Sequence, residues 1–410
     1  MTILKRIIFL GSYVPAHVYR RNIEYNVAAN NFQHHLLLGL RSASDQIQRI
    51  EVASLLPVPS FPQASQLWVW GRRHQISPKI ELNLVPFVNR GPIKVLTSML
   101  GFWTHLTHRL DSTDLILTYN LNPSLALPAL ALGRRSRTPV VSIIADLPMP
   151  GSLTPRTMLR RLDAWLQKWM MKRVDGSIVL STSVIRDFTI QKPYLRMEGG
   201  IPEDLATFSA DSRFHVSPRG QELKVLYSGS LSVRGGLPLL LDSFALIKDP
   251  KCNLWVCGRG DLTSKVLEAC ARDPRIRYYG YVERPEYLGL LNSATLLVNP
   301  RPSYPENRYS FPSKLLEYLA TGIPVITTAT NGVLDEYGDK AFILNEETPE
   351  ALANLIQKVG NSPSDKLDAL GARARDYVLQ HKMWNTQAER VFRFLEQIVD
   401  IHLRTYDSDS

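Results

Sequence analysis

The residues best suited to do chemistry lie in one short stretch, SFPSKLLEYLATGIPVITT, residues 310–328. Its pattern predicts a helix from near Pro312 to Gly322, because proline suits a first helical turn and glycine a left-handed end. A helix start attracts phosphate through its unpaired N–H groups and dipole, and Lys314 adds a full positive charge there. Glu317 lies one turn further, about 6 Å along the axis, which is roughly the offset between a diphosphate and its ribose. The stretch therefore predicts a nucleotide diphosphate site in which Glu317 accepts hydrogen bonds from the ribose.

The same residues carry a resemblance to a known family. From Asn299 to Thr328 the chain resembles the donor-binding segment of family 4 glycosyltransferases, especially bacterial polysaccharide-assembly members with the motif PSK…EY…G.PV. The resemblance implies that Lys314 helps to neutralise the leaving diphosphate. It also implies donor contacts from Ser310, Phe311, Pro312, Ser313 and Glu317. The alternative is an ordinary strand–helix–strand unit with surface serines and a surface lysine.

A glycine-rich loop, GSLSVRGG at residues 229–236, follows a predicted strand. Gly229 lets the backbone approach a phosphate, and Arg234 can hold two oxygens with one guanidinium. The family usually has Gly-Arg-Leu and then Lys-Gly here, so Ser230 replaces the first cation and Arg234 the second. A glycine turn with a solvated arginine is the alternative.

Three further strand ends supply weaker candidates. Gly258 begins a Gly-Arg-Gly turn, which close packing of strand and helix explains nearly as well. Tyr281 and Val282 stand where the family holds the nucleobase through the backbone. Arg301 is either a phosphate or sugar contact or a partner for Glu306.

One position departs from the family pattern. Many members have a second glutamate, eight residues before the one matching Glu317, that touches the donor sugar; this chain has Tyr309 there. Glu306 and Asn307 are nearby substitutes. The identity of the donor sugar therefore cannot be read from the motif.

The first half of the chain supplies candidates for the acceptor side. Gly11 and Ser12 end the first predicted strand and begin the loop that in the family lies under the diphosphate. Residues 30–33, Asn-Asn-Phe-Gln, could face the acceptor. Asp146 ends the run VVSIIADLP, where many relatives have His-Asp, and could orient the acceptor hydroxyl, accept its proton or merely cap a turn. No Asp-x-Asp motif follows a predicted strand, so no essential metal or other cofactor is expected beside the nucleotide-sugar donor.

Length and periodicity predict the architecture. A chain of 410 residues exceeds one hydrophobic core, and short apolar strands alternate with helices throughout. We expect an α/β fold; the resemblance implies GT-B, with two doubly wound Rossmann-like domains facing each other across a cleft. The predicted domains are residues 1–205 for the acceptor, with a C-terminal helix 384–403 packing back on it, and residues 206–383 for the nucleotide sugar. A polar linker is expected at 209–221.

Charge and hydropathy bear on location. Residues 1–200 have 24 Lys and Arg against 11 Asp and Glu, or +13, whereas residues 201–410 have 24 against 27, or −3. The basic half would attract anionic lipid or a lipid diphosphate, or nucleic acid, or would only solubilise the surface. No nucleic-acid module is recognisable, and no apolar run is long enough to span a bilayer. We expect a cytoplasmic protein that contacts the inner face of the plasma membrane.

Together these observations predict a retaining hexosyltransferase. It would move a sugar from a nucleotide-diphosphate sugar to a lipid-linked or glycan acceptor in cell-surface polysaccharide biosynthesis. One alternative is a sugar-nucleotide epimerase, which shares the architecture. Another is a catalytically silent partner in glycan assembly, suggested by the missing histidine before Asp146 and by Tyr309.

Overall fold

The chain folds as two compact units, one formed by residues 1–199 with 384–410 and the other by residues 200–383. The first segment of the first unit ends at residue 199, whereas the domain predicted from the sequence ends at residue 205. The predicted linker 209–221 lies outside the described residues. The computed structural model describes residues 4–15, 18, 26–107, 110, 114–147, 158–207, 222–330 and 332–407.

The first unit is built on an eight-stranded sheet in the order β10-β9-β8-β7-β1-β2-β5-β4, beside a two-stranded ribbon of β3 and β6. The strands are β1 (Arg6–Gly11), β2 (Arg49–Ser54), β3 (Trp68–Val69), β4 (Arg72–Ser77), β5 (Ile80–Leu84), β6 (Phe87–Val88), β7 (Asp114–Tyr119), β8 (Val140–Ile144), β9 (Gly176–Val179) and β10 (Tyr194–Arg196). The helices are α1 (Val27–Ala43), α2 (Gly91–Leu106), α3 (Pro123–Ser136), α4 (Met158–Met171), α5 (Ser183–Phe188) and, from the end of the chain, α14 (Trp384–Asp407).

The second unit is built on a six-stranded parallel sheet in the order β13-β12-β11-β14-β15-β16. The strands are β11 (Leu223–Ser230), β12 (Cys252–Arg259), β13 (Ile276–Gly280), β14 (Leu296–Asn299), β15 (Val325–Thr328) and β16 (Phe342–Leu344). The helices are α6 (Glu203–Ala206), α7 (Leu237–Leu246), α8 (Thr263–Arg272), α9 (Arg284–Ser293), α10 (Ser313–Thr321), α11 (Val333–Tyr337), α12 (Pro349–Gly360) and α13 (Ser364–His381).

The strand sequences explain why both sheets are largely parallel and covered on both faces. All five residues of β8, VVSII, are buried, and so are all four of β15, VITT. Such continuous apolar runs suit a strand with helices on either side. The predicted α/β class is confirmed.

The strand orders also fix where ligands can bind. In the second unit the chain order reverses between β11 and β14, which are hydrogen-bonded neighbours. Ligands of doubly wound sheets bind beyond the carboxyl ends of the strands at such a switch point. The glycine-rich loop at the end of β11 and the segment that leads from β14 to α10 therefore meet at the position where a ligand is expected.

The C-terminal helix α14 packs against α1 in the first unit. An added Cβ at Gly39 would lie 2.6 Å from the Cβ of Ala388, so the two helices touch where one residue has no side chain. The Trp384 ring meets the Phe32 ring edge-on, with centroids 5.3 Å apart. No helix among the described residues is long and apolar enough to cross a membrane.

Candidate functional site

The start of α10 is the centre of the candidate site. The helix begins after Pro312, and this N-cap residue makes no side-chain hydrogen bond to the first turn. Gly322 ends it with φ of 79° and donates its N–H to the carbonyl of Leu319, as the sequence predicts for a left-handed end. Ser313 is exposed, so the uncapped first turn opens to solvent.

Two cations share one carboxylate on this helix. The Oε2 atom of Glu317 accepts hydrogen bonds from Nζ of Lys314 at 3.1 Å and from Nη1 of Arg284 at 3.2 Å. The Glu317 side chain is 23% exposed. Burial acts to raise its pKa, but the charges and hydrogen bonds of Lys314 and Arg284 outweigh this and hold the pKa below the usual value. Glu317 is therefore an ionised acceptor fixed in one orientation.

The ring of a buried tyrosine, Tyr287, lies against both cations of this ion cluster. The ring centroid of Tyr287 lies 4.4 Å from the Lys314 ammonium and 5.6 Å from the Arg284 guanidinium. An aromatic face attracts a cation at these distances. Tyr287 therefore helps to hold both cations beside Glu317.

Two phenols tie the end of β11 to α9 and α10. Ser228 donates its N–H to the hydroxyl of Tyr318 at 2.7 Å, and its Oγ donates to the hydroxyl of Tyr287 at 3.2 Å. Burial raises the pKa of both tyrosines well above the usual range, so both stay neutral. The part of β11 just before Gly229 is thus attached to the two helices that carry Arg284 and Lys314.

Two glycines of the second unit, Gly258 near the end of β12 and Gly236 in the loop after β11, are required by close packing. An added Cβ at Gly258, where φ is 134°, would lie 1.9 Å from the carbonyl oxygen of Gly229. At Gly236, with φ of 82°, it would lie 1.9 Å from the oxygen of Pro300. The packing explanation of the Gly-Arg-Gly turn therefore holds for Gly258, whose contact with a donor stays a prediction.

The glycine-rich loop has a defined backbone. Tyr227 donates its hydroxyl hydrogen to the carbonyl of Ser230 at 2.7 Å and to that of Gly235 at 3.4 Å. The carbonyl of Arg234 accepts a hydrogen bond from Nδ2 of Asn307 at 3.1 Å. The Arg234 side chain is exposed on this loop, and Ser230 is exposed as well.

Arg301 holds the segment before α10 in place. Its Nη2 donates to Oδ1 of Asn307 at 2.8 Å and to Oγ of Ser310 at 2.6 Å. Asn307 is fully buried, so the expectation that it substitutes for a sugar-binding glutamate is wrong. The Glu306 side chain lies outside the described residues. Phe311 is also buried, which leaves its backbone for a ligand.

An exposed tyrosine stands at the end of β13. Tyr281 is 54% exposed, and the Arg259 guanidinium lies 4.9 Å from its ring centroid. Gly280 before it has φ of 72° with nothing within 4 Å of an added Cβ. Val282 follows, half-buried. The pair Tyr281 and Val282 is accessible, as contact with a nucleobase requires.

The first unit has its own pocket, of about 510 Å³, at the carboxyl ends of β7 and β8, and most of its lining residues have polar side chains. Asn120 adopts a left-handed φ of 62°, and its Oδ1 accepts hydrogen bonds from the backbone N–H groups of Ala145 (2.8 Å) and Asp146 (3.0 Å). These two hydrogen bonds fix the backbone at Asp146, whose carboxylate is exposed. The pocket is lined by Val95, Asn120, Asn122, Pro123, Asp146, Leu147, Asp163 and Gln167.

The residues after β1 pack against α1. Ser12 donates its N–H to Oε1 of Gln33 at 3.1 Å, and an added Cβ at Gly11 would lie 2.4 Å from the same oxygen. Asn30, Phe32 and Gln33 are buried. The expectation that these three face an acceptor is therefore wrong: Asn30 and Gln33 brace the loop after β1, and Phe32 packs in the core.

Sequence reasoning missed Arg284 and its second partner. Arg284 donates from Nε to Oδ2 of Asp204 at 2.7 Å and from Nη2 to Oδ1 at 2.9 Å, as well as to Glu317. The sequence could have indicated Arg284, because it lies in the first turn of the helix after Tyr281. Asp204 is 80 residues away in sequence, and nothing in its local sequence indicates that it pairs with Arg284. Among the described residues, no group of three His, Cys, Asp or Glu side chains could hold a metal ion.

Comparisons with known proteins bear on both units. Residues 222–361 match the family described as glycosyl transferases group 1. Sucrose-phosphate synthase from Thermosynechococcus elongatus is 17% identical, with a TM-score of 0.72 over 97% of this chain and 100% of that one. Alr3699/HepE from Anabaena, solved with UDP, is 16% identical, with a TM-score of 0.67 over 96% and 100%. A glycosyltransferase from Rickettsia africae is 14% identical, with a TM-score of 0.67 over 96% and 99%. No curated protein is significantly similar in sequence.

These findings confirm two predictions. Matches along nearly the whole chain confirm the GT-B fold. The family match falls on the unit with the PSK…EY motif and confirms the resemblance to family 4 and the predicted enzyme class. At such low identities the solved structures bear on the fold alone.

Proposed function

Because residues 222–361 belong to the glycosyl transferases of group 1, we propose that this protein transfers a hexose from a nucleotide-diphosphate donor with retention of configuration. The acceptor is a lipid-linked saccharide or glycan in cell-surface polysaccharide biosynthesis. The observation that carries the proposal is the pairing of Lys314 with Glu317 at 3.1 Å on an uncapped helix start. Since Alr3699/HepE is solved with UDP-glucose, that compound is the first donor to test.

The donor diphosphate binds at the first turn of α10. There Lys314, the helix dipole and Arg234 stabilise the charge that grows on the leaving group. The backbone of residues 310–313 and the turn at Gly229 and Ser230 contact the phosphates and the sugar. For Gly11 and Ser12 in the first unit, the donor contact that the resemblance implies stays a prediction.

The ribose binds to Glu317 through one particular oxygen. Both hydrogen bonds to this carboxylate, from Lys314 and Arg284, use Oε2. The other oxygen, Oε1, is therefore the one that accepts hydrogen bonds from the ribose hydroxyls. Tyr281 and Val282 hold the nucleobase. Arg301 supports the donor site indirectly, because its hydrogen bond keeps Ser310 in place.

The acceptor binds in the pocket of the first unit that Asn120 and Asp146 line. Its amide and carboxylate side chains suit sugar hydroxyls, and the Asp146 carboxylate orients the reacting hydroxyl or takes its proton. The basic character of residues 1–200 supports a peripheral contact with the anionic inner face of the plasma membrane. The expected location is the cytoplasm.

A thermal-shift screen of sugar nucleotides tests the donor site, because a bound donor stabilises only the folded protein. UDP-glucose should raise the midpoint of the native protein and of Lys265→Ala, an exposed lysine on α8, but much less that of Lys314→Ala. An equal shift in all three proteins would contradict the assignment. Product analysis with the donor alone separates transfer from epimerisation, and binding without turnover on any acceptor would favour the silent partner.

A further inference from the structure

Helix α2 in the first unit has two apolar faces, of which one is exposed. The exposed stripe consists of Ile93, Leu96, Leu100 and Trp103, at spacings of three, four and three residues, which lie along one side of a helix. Each of these side chains is between 40% and 63% exposed. Scattered exposed apolar residues need no explanation, but a continuous stripe along three turns does.

The opposite face of α2 fixes the helix to the unit. An added Cβ at Gly101 would lie 2.4 Å from the side chain of Val85, so the helix lies directly on the chain that follows β5. The hydroxyl of Thr97 accepts a hydrogen bond from the backbone N–H of Val88 at 3.0 Å. Since Phe102 is fully buried on this side, the exposed stripe is held outward.

Two exposed tryptophans belong to the same substructure. Trp68 and Trp70 are 58% and 73% exposed, and their rings stack with centroids 6.3 Å apart. Strand β3 carries Trp68 and pairs with β6, which packs against α2. Tryptophan is enriched where a protein meets the headgroup layer of a membrane.

The chain in this region is strongly basic. Residues 52–110 contain six lysines and arginines but a single acidic residue, Glu81. That carboxylate is paired with Arg49, which neutralises it. Of these basic residues, Arg72, Arg73 and Arg90 are exposed, and an exposed apolar stripe accompanied by exposed cations suits anionic lipid.

We propose that α2 lies in the surface of an anionic membrane, with the stripe Ile93, Leu96, Leu100 and Trp103 among the acyl chains and Trp68 and Trp70 at headgroup level. This inference rests on the peripheral membrane contact of the proposed function and names the element that makes it. It does not depend on the donor site.

The test is sedimentation of the full-length protein with vesicles of phosphatidylcholine, alone or mixed with phosphatidylglycerol. Leu96→Glu and Leu100→Glu are compared with Leu267→Glu, a similarly exposed leucine on α8. We expect each α2 variant to bind mixed vesicles at least about tenfold more weakly, because it loses apolar contact and faces like charge, whereas Leu267→Glu binds normally. Native melting midpoints without any ligand would show that all three variants fold.

The other results are equally decisive. If both α2 variants bind like the native protein, and binding is lost only as NaCl rises from about 0.1 to about 1 M, the contact is purely electrostatic and the role of the stripe is wrong. If the native protein binds neither vesicle, the peripheral contact itself is wrong. If the native protein is a dimer that Leu96→Glu makes monomeric, without vesicle binding, the stripe is covered by a second copy and the inference fails.

Discussion

Arg284 donates from Nη1 to the same oxygen of Glu317, at 3.2 Å, that Lys314 also uses. The same guanidinium holds both oxygens of Asp204 on α6. Arg284 therefore connects the helix at the start of the second unit with the carboxylate proposed to bind ribose. Burial acts to lower its pKa, but the hydrogen bonds and charges of Asp204 and Glu317 outweigh this and raise the pKa above its usual value. It stays charged at every pH of interest.

Replacing Arg284 should weaken donor binding more than it slows the chemical step. Without it, Glu317 keeps one cationic partner and loses its fixed orientation. A hydrogen bond to a charged group contributes about 1.5–3 kcal/mol, so we expect the KM for the donor to rise about tenfold or more in Arg284→Ala, with a smaller change in kcat. Arg277→Ala, an exposed arginine on β13, is the matched control. A loss of kcat at unchanged KM would show that Arg284 acts elsewhere.

The ion cluster should respond to acid with a definite sign. The folded-state pKa of Glu317 is depressed, so its stabilising contribution is present above the unfolded pKa of about 4.3 and is lost as pH falls through the lower folded value. We expect the difference in unfolding free energy between the native protein and Glu317→Gln to be constant near neutral pH and to shrink below about pH 4. Denaturant titrations across this range measure it. A difference that grows on acidification would contradict the assignment.

Lys314 and Arg234 should matter for transfer itself. Removing a group that stabilises charge on the leaving group costs on the order of 100-fold in kcat, so Lys314→Ala and Arg234→Ala should each lose about that much with a sugar-nucleotide donor. Lys265→Ala should behave like the native protein. Native rates in both active-site variants would overturn the site.

Asp146 should separate acceptor chemistry from donor binding. A general base or positioning carboxylate contributes about 100-fold or more, so Asp146→Asn should lose transfer to that extent while its thermal shift with UDP-glucose stays native. Asp242→Asn, an exposed aspartate on α7, serves as the control. If Asp146→Asn transfers normally, the carboxylate only caps its turn.

The glycines of the second unit should differ in their tolerance of alanine. Gly236 and Gly280 have similar φ, 82° and 72°, but only at Gly236 would a Cβ meet backbone, 1.9 Å from an oxygen. Gly280→Ala should therefore cost only the conformational strain, about 1 kcal/mol, or a few degrees in Tm. Gly236→Ala should cost clearly more. Equal losses in thermal melts would show that the loop can move aside.

The sequence predicted a helix or strand correctly where the residues of that element alone determine its limits. The limits of α10 follow from Pro312 and Gly322, and strands such as β8 follow from unbroken apolar runs. It predicted one strand over residues 82–88, whereas Pro86 separates β5 from β6. Proline cannot donate to a strand ladder, so the break has a local cause that could have been recognised.

Contacts between segments that are distant in the chain could not be predicted from the sequence. Strand β3 has two residues, too few for a pattern, and exists because it pairs with β6. The burial of Asn307 depends on the carbonyls of Arg234 and Pro302, which only the fold brings near. Polar residues next to a motif are therefore weak candidates for ligand contacts until their hydrogen-bond partners are known.

The attachment of Ser228 to the phenols of Tyr287 and Tyr318 has a practical meaning for engineering. Anyone who grafts a new phosphate-binding turn from a relative, to alter the choice of nucleotide, can begin the exchange at Gly229 and leave Ser228 and both tyrosines in place. An exchange that begins before Ser228 removes the Oγ that bonds to Tyr287, unless the new residue there also has a hydroxyl group. Chimaeras exchanged at Gly229 should thus misfold less often than those exchanged further upstream in β11.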